Sequence, residues 1–187
     1  MATVPEPRAG QTPLERAWSD TTVETESPNG RVRVTMVGDH ELRLWVDPTW
    51  YATAPVRTLQ DELVRAARLV YVNRTRAYYD TWSRLAGRLV RPARTAESPE
   101  TEEYQRRLDE VVARGEAYDG RIALVLSGTS RFTVSIDPSV VRDLDAAAFC
   151  ARAREAALAC LHEHEEGWQR AHFDVYTRPR LERAGVL

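Results

Sequence analysis

The stretch GRVRVTMVGDHELRLWVDP, residues 30–48, is followed ninety positions later by GRIALVLSGTSRFTVSIDP, residues 120–138. In both copies apolar and polar residues alternate on either side of a break that begins with glycine. The corresponding apolar positions are Val32, Val34, Met36, Leu42, Leu44 and Val46 in the first copy and Ile122, Leu124, Leu126, Phe132, Val134 and Ile136 in the second. A period of two is typical of a strand with one buried face, and the glycine-led break predicts a hairpin in each copy.

Each copy ends in Asp-Pro and is followed by a long pattern with the 3.6-residue period of a helix. The apolar positions on one side of these helices are Leu59, Leu63, Ala66, Ala67, Val70, Ala77 and Tyr78 in the first and Phe149, Ala153, Ala156, Ala157, Cys160, Gly167 and Trp168 in the second. Arg74 and His164 interrupt the two stripes at the same offset. The helices, like the hairpins, are therefore two versions of one unit.

Shorter elements are expected before each hairpin. Residues 21–26 and 113–117 suit one more strand in each copy. Residues 100–113 predict a helix, with Ser98-Pro99 supplying a cap and a first-turn proline. The equivalent segment, residues 13–19, is long enough for one or two turns.

These patterns predict an α+β fold made of two tandem repeats, each a helix, a three-stranded antiparallel sheet and a long helix. The first repeat is assigned to residues 1–92, with residues 1–12 as a flexible tail, and the second to residues 98–187, with a linker at residues 92–98. One three-stranded sheet under one helix is a marginal core. We therefore expect an intramolecular pseudo-dimer, in which two sheets joined edge to edge protect each other's edges.

The amino-acid composition excludes several classes of protein function. All 26 basic residues are arginine. This usage is typical of a high-GC genome such as an actinobacterial one, and it excludes a phosphate-loop lysine or a lysine Schiff base. The sequence has neither a G-x-S-x-G elbow nor a C-x-x-C pair. No twenty-residue apolar stretch or secretory signal is recognisable. We expect a soluble cytoplasmic protein without enzymatic activity or cofactor, and with neither a membrane nor a small-molecule substrate as partner.

A resemblance to a known family rests on the repeated stretch. The runs SPNGRVRVTMVG…LWVDP and AYDGRIALVLSG…VSIDP resemble the G-x-V-x-V-x-x-x-G…V-x-I-D-P signature of the YbaB/EbfC family of bacterial nucleoid-associated proteins. Proteins of that family are small, typically dimeric, helix–strands–helix DNA binders. The resemblance implies a tandem version that binds DNA with little sequence preference.

The first half is also similar to a second group. Its strand pair, followed by the helical stretch LQDELVRAAR at residues 59–68, resembles proteins encoded with actinobacterial type VII (ESX) secretion systems. That resemblance implies an accessory factor that binds another protein and does not bind DNA. The partner is therefore DNA or another protein, and the sequence leaves both open.

Charge is distributed unevenly along the chain, whose net charge is −2. Residues 30–94 hold twelve arginines and six acidic residues, whereas residues 95–187 hold twelve arginines and seventeen acidic residues. The candidate DNA-binding side chains, which project away from the apolar stripe of the first long helix, are Arg57, Arg65, Arg68 and Arg76. The alternative is a solvated helix face, or one that pairs with the acidic second half.

Two tryptophans are candidate protein-interface residues. Trp45 alternates with the buried positions of its strand and should lie on the other face of the sheet, flanked by Arg33 and Arg43. Trp45, with Trp50 nearby, would then anchor a protein interface. The alternative is that a helix or the other repeat covers Trp45.

Metal ligation and paired-carboxylate chemistry are not expected. His162 and Glu166 lie one helical turn apart, but His164 points to the apolar stripe and His172 lies about 15 Å beyond His162. Three convergent ligands are therefore missing from this segment. Asp47 and Asp137 precede proline at strand ends, which favours a capping role.

Overall fold

The computed structural model describes residues 12–38, 41–91 and 98–186, which form an α+β protein. The elements of the first half are α1 (Pro13–Ser19), β1 (Thr22–Glu26), β2 (Val32–Val37), β3 (Glu41–Val46), α2 (Pro48–Tyr51) and α3 (Val56–Ala86). Those of the second half are α4 (Pro99–Glu110), β4 (Val112–Ala117), β5 (Ile122–Ser127), β6 (Arg131–Ile136), α5 (Val140–Asp143), α6 (Ala146–His172), a π-helical segment (Phe173–Thr177) and α7 (Arg178–Arg183). The predicted repeat of three antiparallel strands followed by a long helix is confirmed.

The register of the two sheets repeats with the sequence. Val34 lies opposite Leu44 across β2 and β3, and Leu124 lies opposite Val134 across β5 and β6. The helix expected over residues 100–113 ends earlier, at Glu110, because the chain from residue 112 onward pairs with β5. A backbone group that bonds in a strand ladder cannot also bond in a helix, so the pairing of β4 with β5 ends α4.

Short helical turns after the hairpins were not expected. Asp47 caps α2, since its Oδ1 accepts hydrogen bonds from the Thr49 and Trp50 amides at 2.9 and 3.1 Å. Asp137 Oδ1 accepts from the Ser139 amide at 2.8 Å in the equivalent turn. Asp47 is therefore the N-cap of α2, whereas Asp137 closes the turn before α5, whose N-cap is Ser139.

The predicted tail and linker lie outside the described residues except at their last positions. Thr12 caps α1 by accepting from the Glu15 amide at 3.2 Å, and Ser98 caps α4 by accepting from the Thr101 amide at 3.2 Å. Asp39 and His40, in the first hairpin break, also lie outside the described residues. Helices α1 and α4 thus both begin with a hydroxyl side chain as the N-cap.

The two sheets are not hydrogen-bonded to each other. The described strands form one sheet in the order β1-β2-β3 and another in the order β4-β5-β6. The expectation that the sheets join edge to edge is therefore wrong for these strands. The long helices connect the halves instead: α3 packs on β1, β2 and β6, and α6 packs on β4, β5 and β3.

The buried core is shared by both halves. One cluster contains Leu59 of α3 and Phe149 of α6, both with no exposed surface, together with strand residues of both sheets. The Tyr51 ring lies 5.1 Å from the Phe149 ring. A second cluster brings Tyr71 of α3 to 6.5 Å from Phe132 of β6. Full burial of such side chains stabilises a fold by roughly 1.5–3 kcal/mol each, so separating the halves would expose part of each core.

Helix α6 lies unusually close to β4. A Cβ atom added at Gly115 would overlap the carbonyl oxygen of Ala156 and the amide nitrogen of Cys160. At the equivalent position of the first half stands Thr25, whose hydroxyl accepts a hydrogen bond from Asn73 of α3 at 3.2 Å. Glycine therefore permits a closer helix–sheet contact in the second half than in the first. None of the helices in the described ranges combines the length and apolar character needed to cross a bilayer.

Candidate nucleic-acid interface and open strand edge

The four predicted arginines lie along one exposed face of α3. With a turn of about 100° per residue, the positions of Arg57, Arg65, Arg68 and Arg76 fall within about 100° of each other. All four side chains are exposed. Arg57 and Arg76 are nineteen positions apart, or about 28 Å along the helix axis. Asp61, which is also exposed, is an acidic residue on the same face.

Arg65 differs from the other three. Its Nη1 lies 2.5 Å from Oε1 of Glu62, which is only 3% exposed. The second carboxylate oxygen of Glu62 has no hydrogen-bond partner among the described residues. Because Arg65 neutralises a buried carboxylate, its role here is to stabilise the helix contact. Sequence reasoning missed this because Glu62 is a charged residue on a charged helix, and only packing buries it.

The other three arginines have no acidic partner. Within residues 12–38, 41–91 and 98–186, no ion pair involves Arg57, Arg68 or Arg76. The acidic second half does not neutralise them. Three unpaired guanidinium groups along one helix face can meet phosphates without disturbing the core.

An aromatic group continues this face toward the end of α3. The rings of Tyr79 and Trp82 are stacked with centroids 6.2 Å apart, and Trp82 is 40% exposed. On the α1 side, Trp18 packs edge-on against Tyr78 and lies 5.3 Å from the Arg74 guanidinium. The short α1 therefore covers Tyr78 and leaves Trp82 accessible. The three-residue spacing of Tyr79 and Trp82 was the sequence signal for this pair.

Several acidic side chains of the second half form ion pairs with arginines of the same half. Glu103 receives hydrogen bonds from Arg106 and Arg107, which lower the pKa of its carboxyl to about 2. Arg107 also reaches Asp174, with its Nη1 3.0 Å from Oδ2, and ties α4 to the end of α6. Asp174 pairs with Arg178 at 2.7 Å as well. These pairs hold the C-terminal helices together and leave less acidity for a basic partner.

The structure separates the two candidate tryptophans. Trp45 lies on the outer face of its sheet, is 42% exposed and has the Arg33 guanidinium 5.2 Å from its ring. Arg33 is in turn 3.6 Å from carboxylates of Glu24 and Glu26. Trp50 is half-buried and packs against the core cluster. Only Trp45 is presented to solvent on the sheet face.

Beside Trp45, β3 has a free edge. The Asp47 amide donates to the Arg31 carbonyl of the neighbouring chain segment at 2.9 Å, and Val46 lies opposite Val32. Because hydrogen-bonded and non-hydrogen-bonded pairs alternate in an antiparallel ladder, the backbone N–H and C=O groups of the even-numbered β3 residues point away from β2. These residues are Leu42, Leu44 and Val46. No strand in the described part of the chain pairs with them.

A groove of about 450 Å³ separates this edge from α6. Its α6 wall consists of Ala146, Ala147, Cys150, Ala151 and Arg154, and its β3 wall of residues 42–46 with Pro48. The small side chains of α6 keep the groove open. Burial raises the pKa of the Cys150 thiol to about 11, so this cysteine is an apolar lining residue and not a nucleophile.

The histidine-rich segment of α6 has structural contacts. His164 Nε2 lies 2.7 Å from the Gly128 carbonyl oxygen and ties α6 to the second hairpin. His162 Nε2 lies 3.4 Å from Glu166 Oε1 on the exposed face. A search of the described residues finds no group of three side chains that could hold a metal ion.

Comparison of the chain with protein-family models, curated proteins and solved structures gives no match. The features of this chain that bear on function are the arginine face of α3 and the open edge of β3.

Proposed function

We propose that this chain is a non-enzymatic, nucleoid-associated DNA-binding protein of the YbaB/EbfC-like type, with little sequence preference and a cytoplasmic location. The observation that carries the proposal is the row of three exposed arginines on α3, Arg57, Arg68 and Arg76, without an acidic partner among the described residues. Contacts of arginine to phosphate supply affinity without reading bases. The YbaB/EbfC-like repeats seen in the sequence favour the same function.

In this proposal the two repeats act as an intramolecular pseudo-dimer. Each long helix packs on its own sheet and on the outer strand of the other: α3 on β6, and α6 on β3. The reciprocal pattern is that of a two-fold interface, in which each contact occurs twice. The second half has lost the arginine row, since α6 carries Ala147, Glu155, Leu158 and Glu166 at the equivalent positions. DNA binding is thus assigned to one half and support to the other.

The proposed contact predicts how strongly DNA binding should depend on salt. Three arginines that each neutralise one phosphate release about three condensed counterions, so the logarithm of the binding constant should fall with the logarithm of salt with a slope near −2.7. The aromatic pair of Tyr79 and Trp82 lies at the C-terminal end of the row and offers a stacking surface.

The test is fluorescence anisotropy of the protein with a short random duplex between about 50 and 200 mM salt. The variant replaces Arg57, Arg68 and Arg76 with glutamine. The matched control replaces Arg106, Arg142 and Arg152 with glutamine, which removes the same charge from exposed positions outside α3. We expect the α3 variant to lose most of the affinity and of the salt slope, and the control to behave as the parent protein. Equal losses in both variants, or no binding at the lowest salt, would reject DNA binding by α3.

A second candidate function is that of a protein-interaction factor associated with type VII secretion. The exposed Trp45 beside the open β3 edge favours it. An absence of DNA binding together with binding of a protein partner that is lost in a Trp45→Ala variant would support this candidate over the first.

A further inference from the structure

We propose that the groove between β3 and α6 binds an extended acidic segment of another protein, which adds as a fourth strand to the sheet β1-β2-β3. This inference is independent of DNA binding, because no groove-lining residue belongs to the arginine face of α3.

The edge of β3 offers main-chain hydrogen bonds. Leu42, Leu44 and Val46 direct their N–H and C=O groups toward the groove, and strand addition uses such groups for affinity. The Val46 amide meets the Cys150 thiol there, a weak acceptor that an added strand would replace. Free edges are normally protected by proline, by bulges or by a covering element. The β3 segment has neither a proline nor a bulge, since its pairing with β2 is continuous from Val32–Val46 to Val37–Glu41.

The equivalent edge in the second half is closed. Gln60 of α3 donates from Nε2 to the carbonyl oxygen of Val134, on the free edge of β6, at 3.1 Å. The residue at the equivalent position of α6 is Cys150, which has no amide to offer and lines the groove instead. Gln60 therefore occupies the edge carbonyl of Val134, whereas the smaller Cys150 leaves a groove beside β3.

The lining determines the chemistry of the occupant. Among the described residues, the charged side chains that line the groove are Arg43 and Arg154, and none of the lining residues is acidic. Arg154 is exposed and forms no ion pair within the described residues, whereas Arg43 lies 2.6 Å from the exposed Glu41. The remaining α6 wall is alanine and cysteine, which leaves room for short branched apolar side chains. An added strand that alternates acidic and small apolar residues meets both features.

The experiment uses the full chain and a fluorescein-labelled, end-blocked eight-residue peptide that alternates glutamate with valine. Two control peptides have lysine in place of glutamate, or proline at two central positions. Anisotropy measures affinity, and amide hydrogen exchange measured by NMR reports the position of binding. We expect binding of the glutamate peptide, at least about tenfold weaker binding of the lysine peptide, and none of the proline peptide. The amides of Leu42, Leu44 and Val46 should gain protection, while that of Arg43, already paired with β2, should not.

Protein variants separate the groove from the rest of α6. Ala151→Glu introduces a negative charge into the groove at an exposed position and should weaken binding of the glutamate peptide by about tenfold or more. Ala159→Glu makes the same change at an exposed position of α6 outside the groove and should leave binding unchanged. Binding without protection of the three β3 amides, or no binding, overturns the proposal. Without peptide, the β3 amides could also gain protection as the protein concentration rises, together with a dimer mass in light scattering. That result would overturn the proposal and show that a second copy of this chain occupies the groove.

Discussion

Gln60 and Cys150 occupy equivalent positions of the two repeats and face equivalent strand edges. Gln60 closes the β6 edge with a hydrogen bond to Val134, whereas Cys150 lines an open groove beside β3. Two identical subunits would carry the same residue at both places, and both edges would be open or both closed. A fused chain can close one edge and keep the other, so the duplication allows the two halves to take different roles.

The first prediction follows from this pair. Cys150→Gln should reproduce the contact that Gln60 makes, with its amide donating to a free carbonyl of β3 and its side chain filling the groove. Affinity for the glutamate–valine peptide should fall by about tenfold or more in anisotropy measurements. Cys150→Ser, which keeps the small volume, is the matched control and should bind as the parent does. Unchanged binding by the glutamine variant would show that the groove is not where the peptide binds.

The second prediction concerns the close contact of α6 with β4. Gly115→Ala should lower the free energy of unfolding by at least about 2 kcal/mol, because the new Cβ meets backbone atoms of Ala156 and Cys160 that cannot move alone. Gly167→Ala is the comparison: its Cβ would lie 2.7 Å from Cγ1 of Val111, a β-branched side chain that must shift. Its helical position gains about 1 kcal/mol from alanine, which offsets part of that cost. Chemical denaturation should therefore show a larger loss for Gly115→Ala, and equal losses would contradict a backbone clash.

The third prediction assigns Arg65 to stability. Arg65→Gln leaves the buried Glu62 carboxylate without its partner and should cost about 1–3 kcal/mol of unfolding free energy. Glu62→Met removes the buried charge, including the oxygen that has no hydrogen-bond partner in the described structure, and should be neutral or stabilising. In the double variant the penalty of Arg65→Gln should disappear. Urea denaturation of the four proteins measures this coupling, and additive effects would show that the two side chains do not depend on each other.

The fourth prediction is a titration. Hydrogen bonds from Arg106 and then Arg107 lower the pKa of Glu103 from its usual 4.5 to about 2. A carboxyl whose pKa is lower in the folded state contributes stability above pH 4.5, and this contribution is lost as the pH falls toward 2. NMR titration of the Glu103 side chain should show the low midpoint, and replacing Arg106 and Arg107 with glutamine should raise it. If the Glu103 midpoint stayed the same after both arginines were replaced, these hydrogen bonds would not exist in solution.

The fifth prediction tests the pseudo-dimer. A fragment of residues 1–94 loses the β6 partner of Gln60 and the Phe132 partner of Tyr71. Its apolar α3 surface is then exposed, so the fragment should dimerise or unfold. Light scattering and circular dichroism distinguish these states. A stable folded monomer would show that the first half does not need the second.

The local pattern of apolar and polar residues was sufficient to predict the strands and helices. The alternation around Val34 and Leu124 and the stripes around Leu59 and Phe149 predicted strands and helices, because periods of two and 3.6 are properties of the backbone itself. The aspartate caps were also readable, since a cap bonds to amides two or three residues away. The positions of the arginine row on α3 followed from the same helical period.

The tertiary structure decided which surfaces are buried, paired or free, because these depend on residues far apart in the chain. Gln60 and Val134 are 74 positions apart, and no local pattern indicates that the Gln60 side chain bonds to the edge of the strand that contains Val134. The expectation of edge-joined sheets failed for the same reason: the described strands form two separate sheets, and each long helix packs on the outer strand of the other half. The repeat and its elements were thus determined by the sequence itself, since local backbone preferences suffice for them. Packing alone decided two features: the open β3 groove, and the difference between Arg65, which pairs with a buried carboxylate, and Arg57, Arg68 and Arg76, which have no acidic partner in the described part of the chain.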